Sequence, residues 1–133
     1  MDIAVRVRLP LLLLRFGVFI VMLMWALDKF VRPGHAAGVF KKFYYLENIS
    51  PTAFSIIGAA ELLLLVGFVT GTAKRFTYGL VLLLHAISTL ASYPQYLAPF
   101  DNLLFFAAWP MLAACVTLYL LRDLDTLWAM QKT

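Results

Sequence analysis

Four apolar stretches dominate the sequence and limit what the chain can fold into. They cover residues 9–27, 52–70, 76–92 and 103–121, so each is about 17–19 residues long, the length of a membrane-spanning helix. At a rise of about 1.5 Å per residue, such a helix comes close to crossing the ~30 Å hydrocarbon core of a bilayer. Backbone amides in lipid must be bonded within the structure, and the alternating pattern of barrel strands is absent. The chain is therefore expected to be all-α, a bundle of four transmembrane helices.

The composition indicates that lipid is the solvent for this chain. Apolar residues make up 63% of the 133 residues and charged residues 14%, whereas soluble domains have about 45–50% and 25%. A water-soluble domain of this size has too little interior to bury the excess. We expect residues 1–133 to form one membrane domain. The net charge of +4 is spread along the chain, with no basic run longer than two residues, so a nucleic-acid partner is not expected.

The first connection, residues 28–51, is long and mixes aromatic with charged side chains. Phe40, Phe43 and Tyr44 interleave with Lys41 and Lys42. This spacing predicts a short amphipathic helix that lies in the headgroup layer between the first two spans. An ordinary loop with aromatic anchors would have the same composition and is the alternative. Residues 71–75 form a much shorter connection, which makes the second and third spans antiparallel neighbours.

The distribution of basic residues gives the expected orientation. With the N-terminus inside, the inner side holds six cations and the outer side four. The inner ones are Arg6, Arg8, Lys74, Arg75, Arg122 and Lys132, and the outer ones are Lys29, Arg32, Lys41 and Lys42. This excess predicts a multi-pass protein with both termini in the cytoplasm, and a bacterial inner membrane is the expected location. The first span is expected to be a retained anchor, since it contains Arg15 and lacks a cleavage site for signal peptidase.

Three of the apolar stretches carry an ionisable residue, namely Arg15, Glu61 and His85. An Arg or Asp at the centre of a bilayer costs roughly 2.5–3.5 kcal/mol on insertion scales, so such residues are expected to face each other. The depths of Arg15 and Glu61 differ by about 4–5 Å in antiparallel helices, which an arginine can span. We therefore predict an Arg15–Glu61 pair, either structural or part of a ligand or proton site. Alternatively, Arg15 extends to the membrane surface and Glu61 is protonated.

A polar stripe follows the third span. Tyr78, His85 and Ser92 repeat at intervals of seven residues, and Ser88 and Thr89 follow His85 on the same face. Stripes of this kind more often form hydrogen bonds between helices than a cofactor site, and both interpretations are kept.

Metal, haem and disulfide chemistry are not expected. His35, the only other histidine, lies in the first connection and not in a span, so haem with two histidine ligands is not expected. The single cysteine, Cys115, excludes an internal disulfide and a CxxC motif, and it is expected to be buried and inert.

Several short motifs resemble the DoxX-like family of membrane proteins. They are LRFG at positions 14–17, DKF at 28–30 with Pro33 after it, and AELLLLVGFVTG at 60–71. The resemblance extends over most of the chain and implies a four-helix bundle with a polar cluster formed by Arg15, Lys29 and Glu61. The family is functionally mixed and includes a small subunit of a thiosulfate:quinone oxidoreductase, a methylamine-utilisation maturation protein and eukaryotic membrane chaperones.

The expected function is that of an accessory or assembly subunit of a larger membrane complex, such as a respiratory one. No nucleophile–base constellation, metal-ligand spacing or phosphate loop is present in the sequence, so independent catalysis is not expected. One alternative is a quinone- or lipid-binding redox protein, with quinone the only cofactor considered, and another is a small transporter or proton path. The bilayer and a larger complex or a second copy of the chain are the expected partners. The candidate ligand-binding residues are Arg15, Lys29, Glu61, His85, Tyr78 and Ser88.

Overall fold

The computed structural model of the protein describes residues 1–132, and all regular secondary structure in these residues is helical. This confirms the all-α prediction. The α-helices are α1 (Ile3–Val31), α2 (Pro33–Tyr44), α3 (Pro51–Val69), α4 (Lys74–Ala91), α5 (Tyr93–Tyr96) and α6 (Ala108–Leu120). Short 3₁₀ turns cover Pro99–Asp101, Leu103–Ala107 and Arg122–Leu124.

Three helical segments are long and apolar enough to cross a membrane, as judged by length and composition. They are Ile3–Val31, Pro51–Val69 and Leu103–Leu120, and the last combines a 3₁₀ turn with α6. They correspond to the first, second and fourth predicted spans. Helix α4 corresponds to the third and has 18 residues, but it is not among the three. It begins with Lys74 and Arg75 and contains His85, and these residues lower its mean hydropathy.

The ends of the helices follow from local chemistry. Pro33 ends α1 because the residue before a proline is pushed out of the helical region. Ser50 caps α3, since its side chain accepts a hydrogen bond from the Ala53 N–H at 3.1 Å. Gly71 in the α3–α4 turn has φ +66°, and a Cβ there would lie 2.7 Å from the Cβ of Ala129. Only glycine fits this position without strain.

The core lies between two pairs of helices, because α1 packs mainly against α3 and α4 packs mainly against α6. Small residues let α1 and α3 approach closely. Ala26 is fully buried, and a Cβ added to Gly58 would come within 2.6 Å of the Phe30 ring. The aromatic rings of Phe68 and Tyr78 join α3 to α4 at a centroid distance of 5.1 Å. This packing fixes which faces of α1, α3 and α4 carry polar groups into the interior.

Helix α2 lies across one end of the bundle, which we call the loop end. The predicted helix of the first connection is therefore present, and its apolar side chains contact the ends of the other helices. Phe40 packs against Phe54 of α3 at 5.1 Å between ring centroids, and Phe43 lies 6.0 Å from Phe105. Lys41 and Lys42 on the same helix are exposed.

Residues 122–132, which we call the C-terminal segment, fold back over the opposite end of the bundle, the N-terminal end. The Met130 N–H donates to the Thr70 carbonyl at 2.8 Å, and the Gln131 N–H donates to the Gly71 carbonyl at 3.0 Å. Ala129 is buried against the α3–α4 turn. Each end of the bundle is thus covered by a segment that does not span it.

Candidate functional site

The polar residues singled out in the sequence form three separate groups. Arg15 and Tyr78 lie at the N-terminal end, Lys29 and Glu61 lie toward the loop end, and His85 contacts the start of α6. The predicted Arg15–Glu61 pair is wrong. Each of these two residues has a different partner of opposite charge.

The first group, which we call the arginine cluster, centres on Arg15. Its side chain and that of Asp125 are both 0% exposed, and the Arg15 Nε lies 3.5 Å from the Asp125 Oδ2. The guanidinium also donates hydrogen bonds to the backbone carbonyls of Leu127 and Trp128. The ring of Trp128 lies 6.1 Å from that of Phe16. Arg15 therefore binds the C-terminal segment through both a carboxylate and main-chain oxygens.

Two residues of α4 complete the arginine cluster. The Tyr78 hydroxyl donates to the Asp125 Oδ2 at 2.6 Å, so that one carboxylate oxygen faces both Arg15 and Tyr78. The buried Lys74 ammonium donates to the Asp125 carbonyl at 2.6 Å and to the Arg122 carbonyl at 3.0 Å. Its backbone N–H donates to the Gln131 side chain at 2.9 Å. These bonds attach the C-terminal segment to α4 as well as to α1.

The second group is the ion pair between Lys29 of α1 and Glu61 of α3. The Lys29 Nζ lies 3.0 Å from the Glu61 Oε1 and 3.2 Å from Oε2, and it donates to the Trp25 carbonyl at 3.3 Å. The Phe40 ring of α2 lies 5.9 Å from the Nζ, within the range of a cation–π interaction. The Glu61 side chain is 19% exposed and that of Lys29 is 8% exposed. This pair therefore lies beneath α2, with its carboxylate partly accessible.

The direction of helical side chains explains why Arg15 and Glu61 do not meet. The Cα–Cβ bond of a helical residue tilts toward the N-terminus of its helix. In the antiparallel pair α1 and α3, Arg15 therefore points toward the N-terminal end and Glu61 toward the loop end. Lys29 lies near the end of α1 and points back along it, as its bond to the Trp25 carbonyl shows. The side chains of Arg15 and Glu61 therefore point away from each other, while those of Lys29 and Glu61 point toward each other.

The third group joins α4 to the start of α6 through His85. Its Nε2 lies 3.1 Å from the Ala108 carbonyl and 3.2 Å from the Thr89 hydroxyl. A carbonyl oxygen only accepts, so Nε2 carries the hydrogen, and the Thr89 hydroxyl donates to the His85 carbonyl at 2.8 Å. This is an arrangement of hydrogen bonds between helices.

The rest of the predicted polar stripe makes local contacts. Ser88 contributes its carbonyl, which accepts from the Ser92 hydroxyl at 3.0 Å. Beyond the end of α4, the Tyr96 hydroxyl donates to the Thr89 carbonyl at 2.8 Å, and burial raises the pKa of Tyr96. Tyr78 does not share the surroundings of His85, because it faces Asp125 at the N-terminal end. The stripe is thus divided between two ends of the bundle.

Asp125 and Lys74 are the charged residues of the site that the sequence analysis did not select. Both lie outside the four apolar stretches, in segments treated as connections or tail. Asp125 comes four residues after the fourth stretch, on the side from which Arg15 enters the first. Pairing the buried arginine with an acid on its own side would have limited the candidates to Asp2, Asp123 and Asp125.

Among residues 1–132, no group of three or more His, Cys, Asp or Glu side chains is arranged to hold a metal ion. Cys115 is buried, as predicted. No family model matches the sequence, and comparison with curated proteins and with solved structures also gave no match.

Proposed function

We propose that this protein is a small accessory or assembly subunit of a larger membrane complex, built as a DoxX-like bundle that crosses the membrane four times. In this proposal α4 is the third span, because it runs antiparallel to α3 and has the 18 residues that a crossing needs. Both termini then lie in the cytoplasm of a bacterial inner membrane, on the side with six of the ten flanking cations.

The use of the buried charges supports this proposal. Arg15 and Lys74 bind the C-terminal segment, and Lys29 binds Glu61 beneath α2. In both groups the charged residues hold segments of the chain together, which is a structural task. The buried charges are therefore used within the chain, and contacts with a partner protein are left to residues on the surface.

The observation that carries the proposal is an apolar surface at the loop end. Leu97 and Phe100, which we call the apolar rim, are 80% and 88% exposed. They lie just before the candidate span Leu103–Leu120, in and near the 3₁₀ turn Pro99–Asp101, and irregular backbone is excluded from the hydrocarbon core unless protein or water covers it. Large apolar side chains exposed outside the core favour contact with another protein. We propose that a subunit of the complex covers this rim.

The test is purification from native membranes in a mild detergent. We expect the protein to migrate with a larger complex at fixed stoichiometry on native gels. The double variant Leu97→Ser and Phe100→Ser should lose the complex, because it removes apolar area that the partner buries. Leu46→Ser is the control, since Leu46 is also exposed at the loop end but lies on another segment. Migration of the wild-type protein as a monomer or homodimer would contradict the proposal.

A second candidate function is binding of a quinone head group at Lys29 and Glu61. The specific observation in its favour is that the Glu61 carboxylate is partly exposed in the middle of an apolar helix. A polar head group could reach it from the lipid, with Phe40 as an aromatic wall.

Quinone binding predicts that lipid extracted from the pure protein contains quinone, and that added ubiquinone binds saturably. Glu61→Gln should weaken binding about tenfold, the size of one charge-assisted hydrogen bond. Glu47→Gln, at an exposed acid of the same end, should have no effect. Extracts free of quinone together with a flat titration would exclude this candidate.

A further inference from the structure

A shallow groove lies where the last turns of α1 meet the first turn of α2. It is lined by Met24, Trp25, Asp28, Arg32 and His35 and has a volume of about 150 Å³. The groove is separate from the Lys29–Glu61 pair and from the arginine cluster. Its wall is apolar along α1 and charged where α1 ends.

The charged part of the groove is organised by Asp28. The Arg32 Nε donates to the Asp28 Oδ1 at 2.8 Å, and the Arg32 Nη2 lies 2.8 Å from the same oxygen. These contacts fix the orientation of the Arg32 guanidinium plane, although the Arg32 side chain is 64% exposed. Since Asp28 contacts Nε and Nη2, the Nη1 edge of Arg32 stays accessible to a ligand. An arginine fixed in this way is pre-organised for a phosphate, which it binds through parallel N–H groups.

His35 forms the second polar wall of the groove. Its Nδ1 donates to the Asp28 Oδ2, because a carboxylate oxygen only accepts, so His35 helps to fix the carboxylate that orients Arg32. The imidazole stacks on the Trp25 indole at 6.2 Å between centroids and 22° between planes. His35 and Arg32 are thus held on opposite oxygens of one carboxylate, at the mouth of the groove.

The apolar part of the groove continues onto a face of α1 that the protein does not cover. Met24 and Trp25 are both about half exposed on the helix that most clearly qualifies as a membrane span. With 29 residues, α1 is about 43 Å long, which exceeds the ~30 Å hydrocarbon core. The apolar stretch of α1 ends at Leu27 and the helix continues through Asp28 to Val31, so its last turn reaches the depth of the headgroups, where a phosphate and an acyl chain meet.

We propose that this groove is a phospholipid site, in which Arg32 contacts the headgroup phosphate and an acyl chain lies along Met24 and Trp25. The site joins an arginine oriented by Asp28 to an apolar wall at the depth where a phospholipid has its phosphate. It would hold one lipid between α1 and α2. This inference is independent of the accessory-subunit proposal.

The experiment uses the full chain in detergent, supplied with equal amounts of phosphatidylglycerol and of monogalactosyl diacylglycerol, which has no phosphate. Native mass spectrometry then measures the retained lipid. We expect the phospholipid to be retained at least about fivefold over the galactolipid, and Arg32→Gln to reduce its retention about tenfold, as for loss of one charge-assisted contact. The matched control is Lys41→Gln, which removes an exposed cation from the same end of the bundle.

Two further measurements keep the result decisive. Met24→Trp, which fills the apolar part without changing a charge, should also reduce retention, and thermal unfolding should show that each variant is folded. Equal retention of both lipids, or equal losses in Arg32→Gln and Lys41→Gln, would overturn the proposal. Displacement of the lipid by millimolar inorganic phosphate would point instead to a site for the free anion.

Discussion

Replacing Asp125 by alanine is expected to lower the free energy of unfolding by about 3–5 kcal/mol, the range measured when one partner of a buried ion pair is removed. Arg15 and Asp125 are both fully buried, so the variant leaves an arginine without its carboxylate inside the protein. The Tyr78 hydroxyl loses its acceptor at the same time. The C-terminal segment should loosen, because the Asp125 carboxylate contacts both Arg15 of α1 and Tyr78 of α4.

The measurement is unfolding in mixed micelles of increasing dodecyl sulfate content, with limited proteolysis to report on residues 122–132. The matched control is Asp123→Ala, which removes an exposed acid two residues away and should change stability by less than about 0.5 kcal/mol. The double variant Arg15→Met and Asp125→Leu should recover much of the loss, because the arginine is then no longer buried without its carboxylate. Equal stability of Asp125→Ala and Asp123→Ala would show that the arginine cluster does not hold the segment.

The helices of this protein could be predicted from the sequence because each is determined by residues that are consecutive in the chain. An apolar stretch near 19 residues is a property of consecutive residues, and three of the four stretches correspond to helical segments able to cross a membrane. Pro33 and Pro51 mark helix starts in the same local way. The exact helix ends were harder to predict, since α1 begins at Ile3 and ends at Val31, beyond both ends of the apolar stretch at residues 9–27.

The partner of a buried charged residue depends on the direction of its side chain as well as on the depth of the residue in the membrane. Arg15 and Glu61 have compatible depths, but their side chains point along opposite helix directions and so diverge. Adding this direction to the depth would have favoured Lys29 as the partner of Glu61. Arg15, Lys29 and Glu61 each form an ion pair within the protein, but Arg15 and Glu61 do not pair with each other.

The position of non-spanning segments was the least predictable part of the fold. The amphipathic spacing of α2 predicts a helix, yet the same apolar side could rest on lipid or on protein. Phe40 and Phe43 contact other helices here because those helix ends offer the aromatic rings of Phe54 and Phe105. The C-terminal segment has no periodic pattern, and its place depends on contacts with residues distant in sequence, such as the Asp125–Arg15 ion pair and the backbone bonds to Thr70 and Gly71.

A double-mutant cycle on Lys29 and Glu61 should give a coupling energy of about 1–3 kcal/mol, as for residues in direct contact. Glu61→Leu alone is expected to destabilise by about 3 kcal/mol, since it leaves the buried Lys29 ammonium with only the Trp25 carbonyl and the Phe40 ring. Lys29→Met should have a smaller effect, because the Glu61 side chain that it leaves without a partner is 19% exposed, compared with 8% for Lys29. Lys29→Met combined with Glu61→Leu should be more stable than Glu61→Leu alone.

The same measurement distinguishes the Lys29–Glu61 pair from the Arg15–Glu61 pair that the sequence predicts. A cycle on Arg15→Met and Glu61→Leu should be additive within about 0.5 kcal/mol, because these residues have no partner in common. Unfolding in mixed micelles supplies both energies from five variants and the wild-type protein. If Arg15 couples to Glu61 more strongly than Lys29 does, the two ion clusters are not independent, and α1 and α3 would have to be shifted along each other by several residues.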